Sequence, residues 1–125
     1  MTAGPEPRGP DQIRSARARL AGDRGETMAR LAALERDFAG LVESASQANA
    51  DDEHDPEGAT LAYERQHLAA LIEQARQRLT GIDAALGRIE DGSYGRCERC
   101  GGPIGAERLA ARPAATTCVG CAPRR

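Results

Sequence analysis

Four cysteines are the residues of this sequence best placed to do chemistry. Cys97 and Cys100 form one C-x2-C and Cys118 and Cys121 form a second, with 17 residues between the pairs. Two residues between thiolates let a tight turn aim both sulfurs at one ion, and two such pairs make a four-cysteine zinc site. Gly101, Gly102 and Gly120, beside the pairs, supply backbone freedom for those turns. Four thiolates close a tetrahedral site and leave no position for water or substrate. The expected ion is therefore structural: one Zn2+ per chain, held by Cys97, Cys100, Cys118 and Cys121. The first ten residues hold no apolar signal core, so a reducing, cytoplasmic compartment is the default, where thiols at this spacing are metal ligands rather than disulfides. No other grouping of this kind is present. His54 and His67 stand apart as surface residues, neither Ser–His–Asp nor His–Cys arrangements occur, and no enzymatic activity is expected.

The segment that carries the cysteines is punctuated by glycines at 92, 95, 101, 102, 105 and 120 and by prolines at 103, 113 and 123. It is too short to fold on an apolar core of its own, so the metal must hold it, with Tyr94, Ile104 and Leu109 as the apolar packing beside the site. Upstream lie two helical stretches. The first runs from about Asp11, read as the N-cap, to about Ala48. Its seam is Ile13, Ala16, Leu20, Arg24, Thr27, Leu31, Leu34, Phe38, Leu41, Ala45 and Ala48, in steps of three and four. Arg24 and Thr27 weaken it in the middle, and Gly22 and Gly25 beside them mark where a break or kink would fall. The second runs from about Glu57 to Asp91, with Leu61, Leu68, Ile72, Ala75, Leu79, Ile82, Leu86 and Ile89 as its more regular seam. Between them, Asn49 to Gly58 holds five carboxylates with Pro56 and Gly58, and reads as a turn.

The expected architecture is mostly α. A disordered tail (1–10) precedes an antiparallel two-helix coiled-coil hairpin (11–91, turn about 49–58), which is attached to a small four-cysteine zinc-finger globule (92–125). Composition agrees with it. Only 2% of residues are aromatic, too few for an aromatic-rich sandwich or a buried parallel sheet, while 29% are charged. Seventeen basic residues, all Arg, against nineteen acidic ones give a net charge of −2, so the chain lacks the electrostatic footprint of a DNA-binding protein. No aromatics are interleaved with the arginines near the cysteines for base stacking, and no apolar run is long enough to span a membrane.

The hairpin leading into I-E-D-G-S-Y-G-R-C-E-R-C-G (Ile89 to Gly101), then I-G-x-x-R-L-x-A-R-P (Ile104 to Pro113), then C-V-G-C (Cys118 to Cys121) resembles the DksA/TraR zinc-finger proteins of bacteria. The specific match covers roughly residues 55–121, and the first helix matches in length and pattern. The resemblance implies a coiled-coil arm on a zinc-bound globule that enters the secondary channel of RNA polymerase. There its tip modulates initiation without sequence-specific DNA contact. The family's tip signature, Asp-x-x-Asp-x-Ala, falls on His54, Glu57 and Ala59, followed by Thr60. Glu57 keeps an acid, Ala59 keeps the alanine, and Asp55 lies one position from the missing first acid. Asp55, Glu57, Ala59 and Thr60 are thus the polymerase-facing tip that the resemblance implies. The chain stops four residues after Cys121, so the C-terminal helix of longer members is not expected, and no site for the alarmone ppGpp is carried over.

Two readings follow. The leading one is a zinc-binding transcription regulator with RNA polymerase as partner. The alternative is a zinc-capped coiled coil, a structural or interaction module that never touches polymerase. A monomer is expected, because Arg24 and Gly25 would be poor in an extended homodimer seam.

Overall fold

A computed structural model describes residues 9–49 and 56–122 of the chain. It is mostly helical: α1 spans Pro10–Asn49, α2 spans Pro56–Asp91, and a short α3 spans Ala106–Ala111. Among the described residues there is no strand, only an isolated antiparallel bridge between Arg96 and Pro103. Also among them, no helix is long and apolar enough to cross a membrane.

Asp11 is not the N-cap of α1. The chain turns into the helix at Gly9, whose carbonyl accepts the Ile13 N–H at 3.0 Å and whose own N–H donates to Gln12 Oε1 at 3.3 Å. Pro10 then occupies the first helical position, where a missing N–H costs nothing, and Gln12 closes half of a capping box. Asp11 sits in the first turn and pairs with Arg14 at 3.1 Å. α1 continues past Gly22 and Gly25, which lie on open helix surface where an added Cβ would meet nothing within 4 Å. The α2 terminus has a clear cause. Gly92 turns left-handed at φ 83°, and the Arg88 carbonyl accepts from Ser93 N at 2.9 Å and Tyr94 N at 3.2 Å. The Asp91 carboxylate takes the Ser93 hydroxyl at 2.5 Å and its N–H at 2.9 Å. Those two donors, with the Arg88 charge, hold the Asp91 carboxyl below its ordinary value.

The described residues form two compact units. The cysteine unit takes in 9–25 and 80–122; the helix-pair unit is Glu26–Leu79. In the cysteine unit α1 and α2 run antiparallel, with Arg17 paired to Glu90 at 3.5 Å and Arg24 to Asp83 at 2.7 Å. Leu20, Ile82, Ala85 and Ile89 from the helices are buried in one cluster with Tyr94, Cys97, Ile104 and Leu109. The metal segment therefore does not rest on its ligands alone, since its three expected apolar residues share a core with the helix pair. In the helix-pair unit Leu34, Ile72 and Ala75 are buried, with Leu31, Phe38, Leu68 and Leu71 half-buried around them.

Every seam position from Ile13 to Ala45 on α1, and from Leu61 to Ile89 on α2, is buried or half-buried. The two weak positions are accommodated differently. Arg24 keeps its guanidinium at the edge, on the Asp83 carboxylate, while Thr27 is buried outright at 5% exposure.

Candidate metal centre

The first cysteine pair sits on a tight reversal between Gly95 and Ile104. Ile104 N–H donates to the Gly95 carbonyl at 2.8 Å, Cys97 N–H to Gly102 at 2.8 Å, and Gly101 N–H to Cys97 at 2.9 Å. Gly101 occupies the left-handed region at φ 74°, as the turn demands. Gly102 donates its N–H to Cys100 Sγ at 3.4 Å, and a Cβ there would stand 3.4 Å from the same sulfur. The second pair closes more simply, by Cys121 N–H on the Cys118 carbonyl at 3.1 Å. Gly120 is not the requirement expected of it: its φ is not left-handed, and a Cβ would meet Cys118 Sγ only at an ordinary 3.9 Å. A 2.9 Å bond from Glu98 N–H to the Thr116 carbonyl ties the two turns together.

The four sulfurs of Cys97, Cys100, Cys118 and Cys121 all lie within 4.8 Å of one another, and those of Cys100 and Cys118 are 3.8 Å apart. A tetrahedron with zinc–sulfur bonds of about 2.3 Å has sulfur–sulfur edges of about 3.8 Å, so the donor set fits zinc in both chemistry and size. Electrostatics lead to the same conclusion. The Cys97 thiol is drawn down to about 6, chiefly by the backbone N–H groups of Cys100 and Cys118. Cys121 is pushed up to about 12, its proton held against the sulfurs of Cys118, Cys100 and Cys97. Four thiolates this close repel, and a divalent cation at their centre removes the repulsion. Such an ion leaves no coordination position for a substrate, so its chemistry here is cross-linking.

The R-L-A-A-R-P stretch forms α3 and the turn after it, which the sequence reading treated only as turns. Each of its distinctive residues has a task. Leu109 enters the core, and Arg108 Nε donates to the Thr117 carbonyl at 2.8 Å, bracing the residue before Cys118. The Pro113 carbonyl accepts the buried Tyr94 hydroxyl at 2.8 Å. Six residues are too few to display a helical period, which is why α3 escaped sequence reading. Leu20, a seam residue, and Ala85, which the sequence seam leaves out, are both fully buried in the cluster they share with this segment.

Of the implied tip residues, Ala59 and Thr60 are exposed in the early turns of α2. Glu57 lies at the start of that helix, but its side chain, like Asp55 and His54, falls outside the described residues.

Residues 92–125 match the family described as "Prokaryotic dksA/traR C4-type zinc finger", which supports a structural zinc at the thiol cluster. The RNA polymerase-binding transcription factor DksA of Caulobacter vibrioides is 55% identical over 47 residues, 38% of this chain and 33% of that protein. The uncharacterised protein YteA of Bacillus subtilis is 43% identical over 75 residues, 60% of this chain and 31% of that one. The matches thus span about a third of the length of these curated relatives. The solved structure of transcription factor DksA2 from Pseudomonas aeruginosa extends further: 31% identity and a TM-score of 0.74, covering 89% of this chain and 80% of that one. With the zinc segment matched at one end and the helix pair carried through most of a solved relative, the chain belongs to the DksA/TraR family.

Proposed function

We propose that the chain is a transcription regulator that binds RNA polymerase through its secondary channel and modulates initiation without sequence-specific DNA contact. The observation that carries this reading is the 31% identity, at a TM-score of 0.74, to transcription factor DksA2 over 89% of the chain. DksA of Caulobacter vibrioides, at 55% identity over its matched stretch, is named as RNA polymerase-binding. In this reading Cys97, Cys100, Cys118 and Cys121 ligate one structural zinc per chain and fix the segment 92–125 as a domain. The helical hairpin of 11–91 carries the tip Asp55, Glu57, Ala59 and Thr60. The protein works as a cytoplasmic monomer and without enzymatic activity of its own.

The test is binding to purified core polymerase. The zinc-loaded protein should co-migrate with it, compete with a Gre-type factor and change output from a ribosomal-type promoter. Exchanging Glu57 and Ala59 together should abolish the change in output while zinc content stays at one per chain. Absence of both binding and competition would sink the reading in favour of a zinc-capped structural module.

A further inference from the structure

Three helical glycines lie close together where nothing in the packing calls for them. Gly22 and Gly25 sit about one turn apart on α1, and Gly81 lies inside α2. The 2.7 Å ion pair of Arg24 with Asp83 puts them at one level of the helix pair. None has a left-handed φ, and a Cβ at any of the three would meet nothing within 4 Å. Alanine would fit at each position. Glycine instead leaves the backbone free to relax and bares its carbonyls to water, so a helix gives way there first. Gly40 and Gly87 are equally open. Gly40 stands alone, however, and Gly87 lies between Ala85 and Ile89, which are held in the core of the cysteine unit.

The seam is weakest at the same level. Between Leu20 and Leu31, α1 offers only Arg24, whose guanidinium lies at the edge, and the small Thr27. On α2, Leu79 is no more than half-buried between Ala75 and Ile82. The compact units also divide here, between Gly25 and Glu26 and between Leu79 and Thr80. A backbone weakened on both helices thus coincides with a seam short of large apolar side chains.

We propose that residues 22–27 of α1 and 79–83 of α2 form a joint, where both helices open locally and bend while both core clusters stay closed. The joint belongs to the free protein and does not depend on what the protein binds.

Native-state hydrogen exchange on the full-length, zinc-loaded protein tests it. Amides of 22–27 and 79–83 should exchange about tenfold faster than those around Leu20 and Leu34 on α1, or Ile72 and Ile89 on α2. Gly22→Ala, Gly25→Ala and Gly81→Ala should each slow the joint amides of their own helix about fivefold. Gly40→Ala should leave them unchanged. Spin labels on genetically encoded residues at positions 66 and 90, which leave the cysteines on zinc, would stand about 36 Å apart along a straight α2. Their distance distribution should be broad and skewed to shorter values, and the triple alanine variant should narrow it. Uniform exchange along the helices would overturn the proposal. So would equal slowing of every amide by Gly40→Ala and by the triple variant, because exchange would then follow global unfolding and the glycines would have no local role. A narrow wild-type distribution near 36 Å would show a rigid rod and overturn it as well.

Discussion

The helix-pair unit and the cysteine unit draw on the same two long helices, yet they close their cores to different degrees. Where α1 and α2 face only each other, three apolar side chains are buried, beside Thr27 at 5%, and the best of the three, Ala75, keeps 6% of its surface exposed. Where the cysteine segment is laid over the pair, eight are buried, with Leu20 and Ala85 at 0% and Ile82 at 2%. Two helices present one stripe each, and solvent reaches both edges of the seam. A third element removes an edge. Packing in this protein is thus concentrated where the cysteines are, and the helix-pair unit keeps its surface available for other uses.

Removing the metal should break this contrast most severely. Binding free energy at structural zinc sites is about 10 kcal/mol or more, far above any single contact here. Chelation, or Cys97→Ser, should abolish hydrogen-exchange protection at 93–121 and lower it around Ile82 to Ile89, while amides near Leu34 and Ile72 lose less. Equal loss in both units would mean that they fold as one and that the contrast has no energetic content. Core truncation is the next largest effect. With zinc present, Leu20→Ala should cost about 4 kcal/mol in urea denaturation, and Leu34→Ala, from a smaller and wetter cluster, about 2 kcal/mol. Reversal of that order would show that burial misreports where stability lies.

Tyr94→Phe removes the hydroxyl that satisfies the Pro113 carbonyl and should cost about 1 kcal/mol by the same measurement. Smallest of all is Glu35→Ala, which deletes the exposed pair with Arg76. A loss below about 0.5 kcal/mol is expected, and it should shrink further in high salt.

The helix seams were legible from sequence because burial along a helix repeats every three to four residues, and Ile13 through Ile89 obey that rule with few exceptions. The thiol cluster was legible because two C-x2-C pairs have few other uses. Less visible was everything set by three-dimensional closure. Arg24 and Thr27 look alike as breaks in a seam, but one reaches Asp83 at the edge and the other is sealed. Gly9 and Gln12 outdid Asp11 as the cap, because Pro10 takes the first helical position and moves the cap two residues earlier. The bonds from Arg108 to Thr117 and from Tyr94 to Pro113 join residues 9 and 19 positions apart, and no local pattern announces them.

Tyr94 and Tyr63 are the only tyrosines, and the chain has no tryptophan. One ring is closed into the cysteine unit with its hydroxyl bonded, and the other stands in solvent on the helix pair. An immobilised ring in an asymmetric setting gives a near-ultraviolet dichroic band, and a freely rotating one gives almost none. The unlabelled protein therefore carries its own optical gauge. Tyrosine dichroism reads whether the cysteine unit is assembled, while far-ultraviolet dichroism follows the helices.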